Sequence, residues 1–154
     1  MSELNHYYEI VEQGITQIVE NVATTRRADA GSWTVFKGDV EIWIDLWEIE
    51  QGLRGDKQNL PYFQVMSVLD TVPADVNPLM YKELLEINYK LYGVAFCISQ
   101  DKLILKLIRE AEFLNAEEVY FTILRVGNYA SEFAPTIINK YITKHTPNSA
   151  PNID

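Results

Sequence analysis

The sequence predicts an α+β domain, an antiparallel sheet flanked by helices in the order α-β-β-β-α-β-β-α, and three observations predict it. Near the start, Tyr8, Val11, Ile15, Ile18 and Val22 recur at helical spacing, as do Val119, Ile123, Val126, Ala130 and Phe133 near the end. Between them, Ser32 to Phe36 and Val40 to Glu50 are strand-like runs joined by Gly38-Asp39, the kind of two-residue turn that closes a hairpin. Asn77 to Glu110 then reads as a capped helix, a glycine stop and a second hairpin.

Taken in order, the first helix is predicted over Glu3 to Val22, with Gly14 inside it at a cost of about 1 kcal/mol relative to alanine. Ala23 to Gly31 holds no large apolar residue and reads as a surface loop, with Arg26 and Arg27 as a solvated pair. In the second strand Val40, Ile42, Ile44 and Leu46 point one way, toward a core. Glu41, Trp43, Asp45 and Trp47 point the other way. Gln51 to Asn59 is a polar connection that includes Arg54-Gly55-Asp56. Tyr62 to Leu69, apolar on both sides, reads as a central strand.

Asn77-Pro78 opens a helix, because the asparagine oxygen can accept from an orphan amide and proline at the first position loses no hydrogen bond. Met80, Leu84, Ile87 and Leu91 form its buried stripe to about Tyr92, and Gly93 ends it. Val94 to Ile98 and Leu103 to Arg109 make the second hairpin, turning at Gln100-Asp101, with Leu103, Leu105 and Leu107 on its apolar face. Asn115 with Glu118 forms a capping box for the last helix, which Pro135 is expected to kink or restart before it ends near Thr143. Residues 1–145 read as one domain. Residues 146–154, polar and proline-containing, read as a disordered tail.

Composition narrows function by exclusion. With 22 acidic against 13 basic side chains the formal charge is −9, which disfavours a polyanionic ligand, so no nucleic acid is expected. No apolar run approaches the length of a membrane span and no export signal opens the chain, which points to the cytoplasm and away from a membrane. The single cysteine, Cys97, falls in an apolar strand and reads as an inert core thiol. His6 and His145 stand near opposite ends, and no metal-ligand spacing, phosphate loop or nucleophile set is present. No catalytic residue, metal or cofactor is therefore expected.

The order Leu84-Leu85-Glu86-Ile87-Asn88, then Gly93-Val94-Ala95-Phe96, a hairpin and a long helix resembles the type III secretion chaperone-like fold. Within it, the chain is most similar to YbjN-like proteins. The resemblance implies a homodimer that binds a protein client or regulatory partner. The residues expected to do so are Trp43 and Trp47 with Glu41 and Asp45, together with Trp33 on the neighbouring edge strand. Two placements of Trp43 and Trp47 stay open at this point: offered to a partner, or covered by a terminal helix. A small-molecule carrier or small enzyme, with a pocket between sheet and helices lined by Tyr62, Cys97 or Glu41, is the alternative function.

Overall fold

The computed structural model describes residues 3–51 and 58–145. The Arg54-Gly55-Asp56 triplet and the tail from Thr146 lie outside the described residues. Helix α1 (Glu3–Ile15) leads to the hairpin of β1 (Ser32–Lys37) and β2 (Val40–Gln51), then β3 (Gln58–Thr71). Helix α2 (Leu79–Asn88), the hairpin of β4 (Ala95–Ser99) and β5 (Lys102–Glu110), and α3 (Ala116–Ile137) complete it. This is the expected α+β order. The strands form one antiparallel sheet, β1-β2-β3-β5-β4, so β3 is central as its two-sided apolarity required.

One face of that sheet carries the core. Val35 of β1, Ile42, Ile44 and Leu46 of β2, Phe63 and Val65 of β3, and Leu103 and Leu105 of β5 are buried in a single cluster. Val11 and Ile15 of α1, Met80 and Leu84 of α2, and Val119, Ile123 and Val126 of α3 belong to it too. Burying them removes apolar surface from water at about 25 cal/mol per Å². The helices approach closely at Gly14, where an added Cβ would stand 2.6 Å from Val119 Cβ. The glycine that weakens α1 as an isolated helix is what lets α1 and α3 touch.

The asparagine caps and the hairpin turn form as expected, half of the capping box does not, and several boundaries differ. Asn77 Oδ1 accepts from Leu79 N–H at 3.0 Å, and Asn115 Oδ1 from Glu118 N–H at 2.8 Å. The Glu118 carboxylate does not reach back to the cap but pairs with Arg109. Gln100 and Asp101 take φ of 49° and 61°, the two left-handed positions of a tight hairpin turn.

Helix α1 stops at Ile15 rather than Val22. Thr16 Oγ1 donates to Gln13 O at 2.6 Å, competing for a helical carbonyl, and the chain then turns so that Arg26 can meet Glu12. Helix α2 ends at Asn88, whose side chain serves the sheet instead: its amide donates to Phe96 O at 3.1 Å and its oxygen accepts from Phe96 N–H at 2.7 Å. Asn88 thus gives edge strand β4 the pair of bonds that a further strand would give. Pro135 does not interrupt α3. The helix runs through it to Ile137, with the exposed ring on the solvent side, and passes into a π-helical segment, Ile138–Thr143.

Candidate functional site

Strand alternation dictates what the second face carries. Across all five strands, Thr34, Trp43, Met66, Lys106 and Ala95 form one row. Ser32, Asp45, Gln64 and Ile108 form the next, and Trp47, Tyr62 and Glu110 another. Cys97 pairs with Ile104 on the same face. Tyr62 and Ile104 are buried there, yet neither belongs to the cluster that the helices cover. Trp43 and Trp47 are half-buried, and Phe36 is 63% exposed. Among the described residues, all helical side chains of the core lie on the opposite face, so no terminal helix covers the two tryptophans.

Several polar groups of this open face pair with one another, while the buried Nε of Arg27 has no hydrogen-bond partner among the described residues. Arg27 N–H donates to Ser32 O at 2.9 Å, which lays the residue alongside β1. Its guanidinium donates through Nη2 to Asp45 Oδ1 at 2.6 Å and lies 5.1 Å from the centre of the Trp43 ring. Ser32 Oγ donates to the same Oδ1 at 2.8 Å. Trp43 Nε1–H donates to Glu41 Oε1 at 2.9 Å. The Trp47 and Tyr62 rings are tilted against each other at 6.4 Å. Burial raises the pKa of Tyr62, with the nearby Glu110 adding to the effect. A cavity of about 300 Å³ opens on this face, lined by Ala30, Gly31, Ser32, Asp45, Trp47 and Gln64, with Leu46 of the core strand beside them.

Of the residues expected to bind a partner, the structure brings Glu41, Trp43, Asp45 and Trp47 together on the open face. Trp33 it does not. Trp33 pairs with Ile44 on the core face, is 3% exposed and donates from Nε1 to Glu12 Oε1 at 3.1 Å. Its parity with Val35, which is also buried, is the sequence signal that separates it from the other two tryptophans. The arginine pair is not merely solvated: Arg26 grips Glu12 through two bonds, at 2.6 and 2.9 Å, and Arg27 belongs to the open face. Glu12 is held below the usual carboxyl range, chiefly by the Arg26 hydrogen bond, with burial opposing and Trp33 helping.

Ser32, Gln64 and Met66 are open-face residues that the sequence reading did not single out, and Arg27 and Tyr62 were not placed on this face by it. Cys97 lies half-buried on the open face and not in the helix-covered core. Burial nonetheless raises its pKa, more than the neighbouring Lys106 lowers it. Since Tyr62, Cys97 and Glu41 all take the open face, they do not line a pocket between sheet and helices. A second cavity of about 300 Å³ lies near α1, between Tyr8, Glu12, Arg26 and Trp33, where Glu12 accepts from both Arg26 and Trp33.

Among the described residues, no three His, Cys, Asp or Glu side chains come together to hold a metal ion, and no helix is long and apolar enough to cross a membrane. His6 is exposed beside the Tyr7 ring, and His145 lies 2.7 Å from Asp75. Comparison with models of protein families and with curated proteins finds no match for this chain.

Proposed function

We propose that the protein is a non-enzymatic, cytoplasmic binding module, chaperone-like or adaptor-like, which holds a segment of a partner protein on the open face of its sheet. The observation that carries this reading is the uncovered, half-buried pair Trp43 and Trp47, set in continuous rows with Met66 and Tyr62. Tryptophan and tyrosine supply much contact area for little lost freedom, which is why they dominate interaction hot spots. The resemblance to secretion chaperones supports the same reading, as does an acidic surface that suits a protein better than a polyanion. We also propose that the protein works as a homodimer. Support comes from the outer side of α2, where Tyr81 and Leu85, with Tyr89 just past the helix end, stand exposed four residues apart, the spacing of a helix-packing surface.

The test is capture from a cytoplasmic extract by the wild type and by Trp43→Ala/Trp47→Ala, after circular dichroism shows the double variant folded. The captured protein, once purified, should bind the wild type and not the double variant. Equal binding to both refutes the reading. For the dimer, Leu85→Asp should sediment as a monomer where the wild type sediments as a dimer, and a monomeric wild type refutes it.

A further inference from the structure

Asp45 sits mid-face between two tryptophans, Trp43 and Trp47, each two residues away along the same strand face. Its side chain is 20% exposed, so the carboxylate depends on hydrogen bonds for its stability. Both bonds it receives, from Arg27 Nη2 and Ser32 Oγ, end on Oδ1, and among the described residues no donor reaches Oδ2. Across the ladder, Gln64 spends an amide N–H on Met66 Sδ at 3.4 Å, and among the described residues no donor reaches its Oε1. Asp45, Gln64 and Trp47 line the same 300 Å³ cavity.

The chain itself displays what such a group of side chains accepts. On one side of Asp45, the guanidinium of Arg27 lies over Trp43 and donates to the carboxylate. On the other side Trp47 stands beside the cavity, and among the described residues no cation lies over its ring. Two unused acceptor oxygens next to an indole suit a planar cation with several N–H donors, which can bond to both and pack on the ring. A second positive charge would not go unanswered, because the row of Trp47 and Tyr62 ends in Glu110.

We propose that this cavity receives an arginine side chain of the partner, bonded to Asp45 and Gln64 and packed on Trp47, as Arg27 already does on Trp43. The proposal rests on the open face being the binding surface and names the chemistry of the segment bound there: it carries a guanidinium.

The probe is blocked arginine, N-acetyl-arginine amide, titrated into the nitrogen-labelled full chain while the Trp47 indole N–H is followed by NMR. Blocked citrulline, its neutral isostere, and blocked lysine are titrated alongside. Arginine should give a saturable shift at Trp47, with citrulline weaker by about tenfold or more, the value of a lost charge-assisted hydrogen bond. Gln64→Leu, which leaves the Arg27 pair intact, should weaken arginine too, and Asp45→Asn more so where it remains folded. No saturable shift, an equal response to citrulline, or equal binding of lysine overturns the proposal. Because this titration needs no natural partner, its failure with successful capture removes the arginine site alone, whereas failed capture with arginine bound removes the proposed function.

Discussion

Replacing Gly14 by alanine separates the energetics of an isolated helix from those of this fold. In a free helix the change stabilises by about 1 kcal/mol. In the structure the new Cβ would lie 2.6 Å from Val119 Cβ and Cγ1 and 2.8 Å from Ala116 O, against an ordinary contact of about 3.5–4.0 Å. Two of those atoms are fixed by the α3 backbone, so the helices must part by about 1 Å, loosening the packing of Val11 and Ile15. Overpacking of this kind costs about 1–3 kcal/mol, and the rigid neighbours put this site at the upper end. Net of the helical gain, Gly14→Ala should lose about 2 kcal/mol, or about 4–8 °C in melting temperature for a domain of this size. Gly127→Ala is the control. It offers the same helical gain, and its Cβ would meet Lys37 Cδ at 2.7 Å, Ile42 Cδ1 at 3.2 Å and Lys37 Cβ at 3.3 Å, mostly side-chain atoms that can shift, so it should lose less than Gly14→Ala. Urea unfolding of the three proteins decides it, read from midpoints at constant slope. If Gly14→Ala matches or exceeds the wild type, the close approach of α1 and α3 is not as described.

Three further outcomes are expected. Asn88→Leu removes both bonds to Phe96 and should cost about 2–4 kcal/mol, made of about 1 kcal/mol per bond plus the unmet demand of the groups left behind; a loss below about 0.5 kcal/mol in urea unfolding would show that water serves that edge equally well. Glu12 has a folded pKa below its usual 4.5, so its stabilising contribution is present above that value and is lost as the pH falls through the depressed one. Glu12→Gln should therefore be less stable than wild type at neutral pH, with the gap closing well below 4.5, and a gap that persists in acid contradicts the Arg26 pairing. Cys97, its pKa raised by burial, should react with iodoacetamide more slowly than free cysteine at the same pH, and a faster rate would contradict its half-buried position.

What could be read from the sequence was whatever local periodicity decides. Alternation alone put Ile42, Ile44 and Leu46 on one side of β2 and Trp43 and Trp47 on the other, and Asn77 and Asn115 announced their helices because capping is a local bond. Contacts that require two distant segments were not legible. The role of Gly14 depends on Val119, and that of Arg27 on Asp45 and Trp43. Asn88 carries no local mark of the strand edge it serves at the end of α2. The open face became a surface only when register set Tyr62 opposite Trp47 and Met66 opposite Trp43. Trp33 shows the converse error. Chemical kinship with the other tryptophans suggested a shared role, and strand parity, which was readable, assigned it to the core.

The side chain that seals β4 also limits how copies of this protein could polymerise. A sheet extends indefinitely only when both of its borders can pair, as when each copy adds its free border to the opposite border of the next. Here the β4 border is already taken at Phe96 by Asn88, while at the other border, among the described residues, no segment pairs with Thr34 to Lys37. Every head-to-tail junction would use the β4 border, so growth of that kind is obstructed at each one. Any union through strands must join like to like, β1 against β1 about a twofold axis, and it stops at two copies. A single asparagine on a helix thus guards an acidic, aromatic-rich sheet against fibre formation.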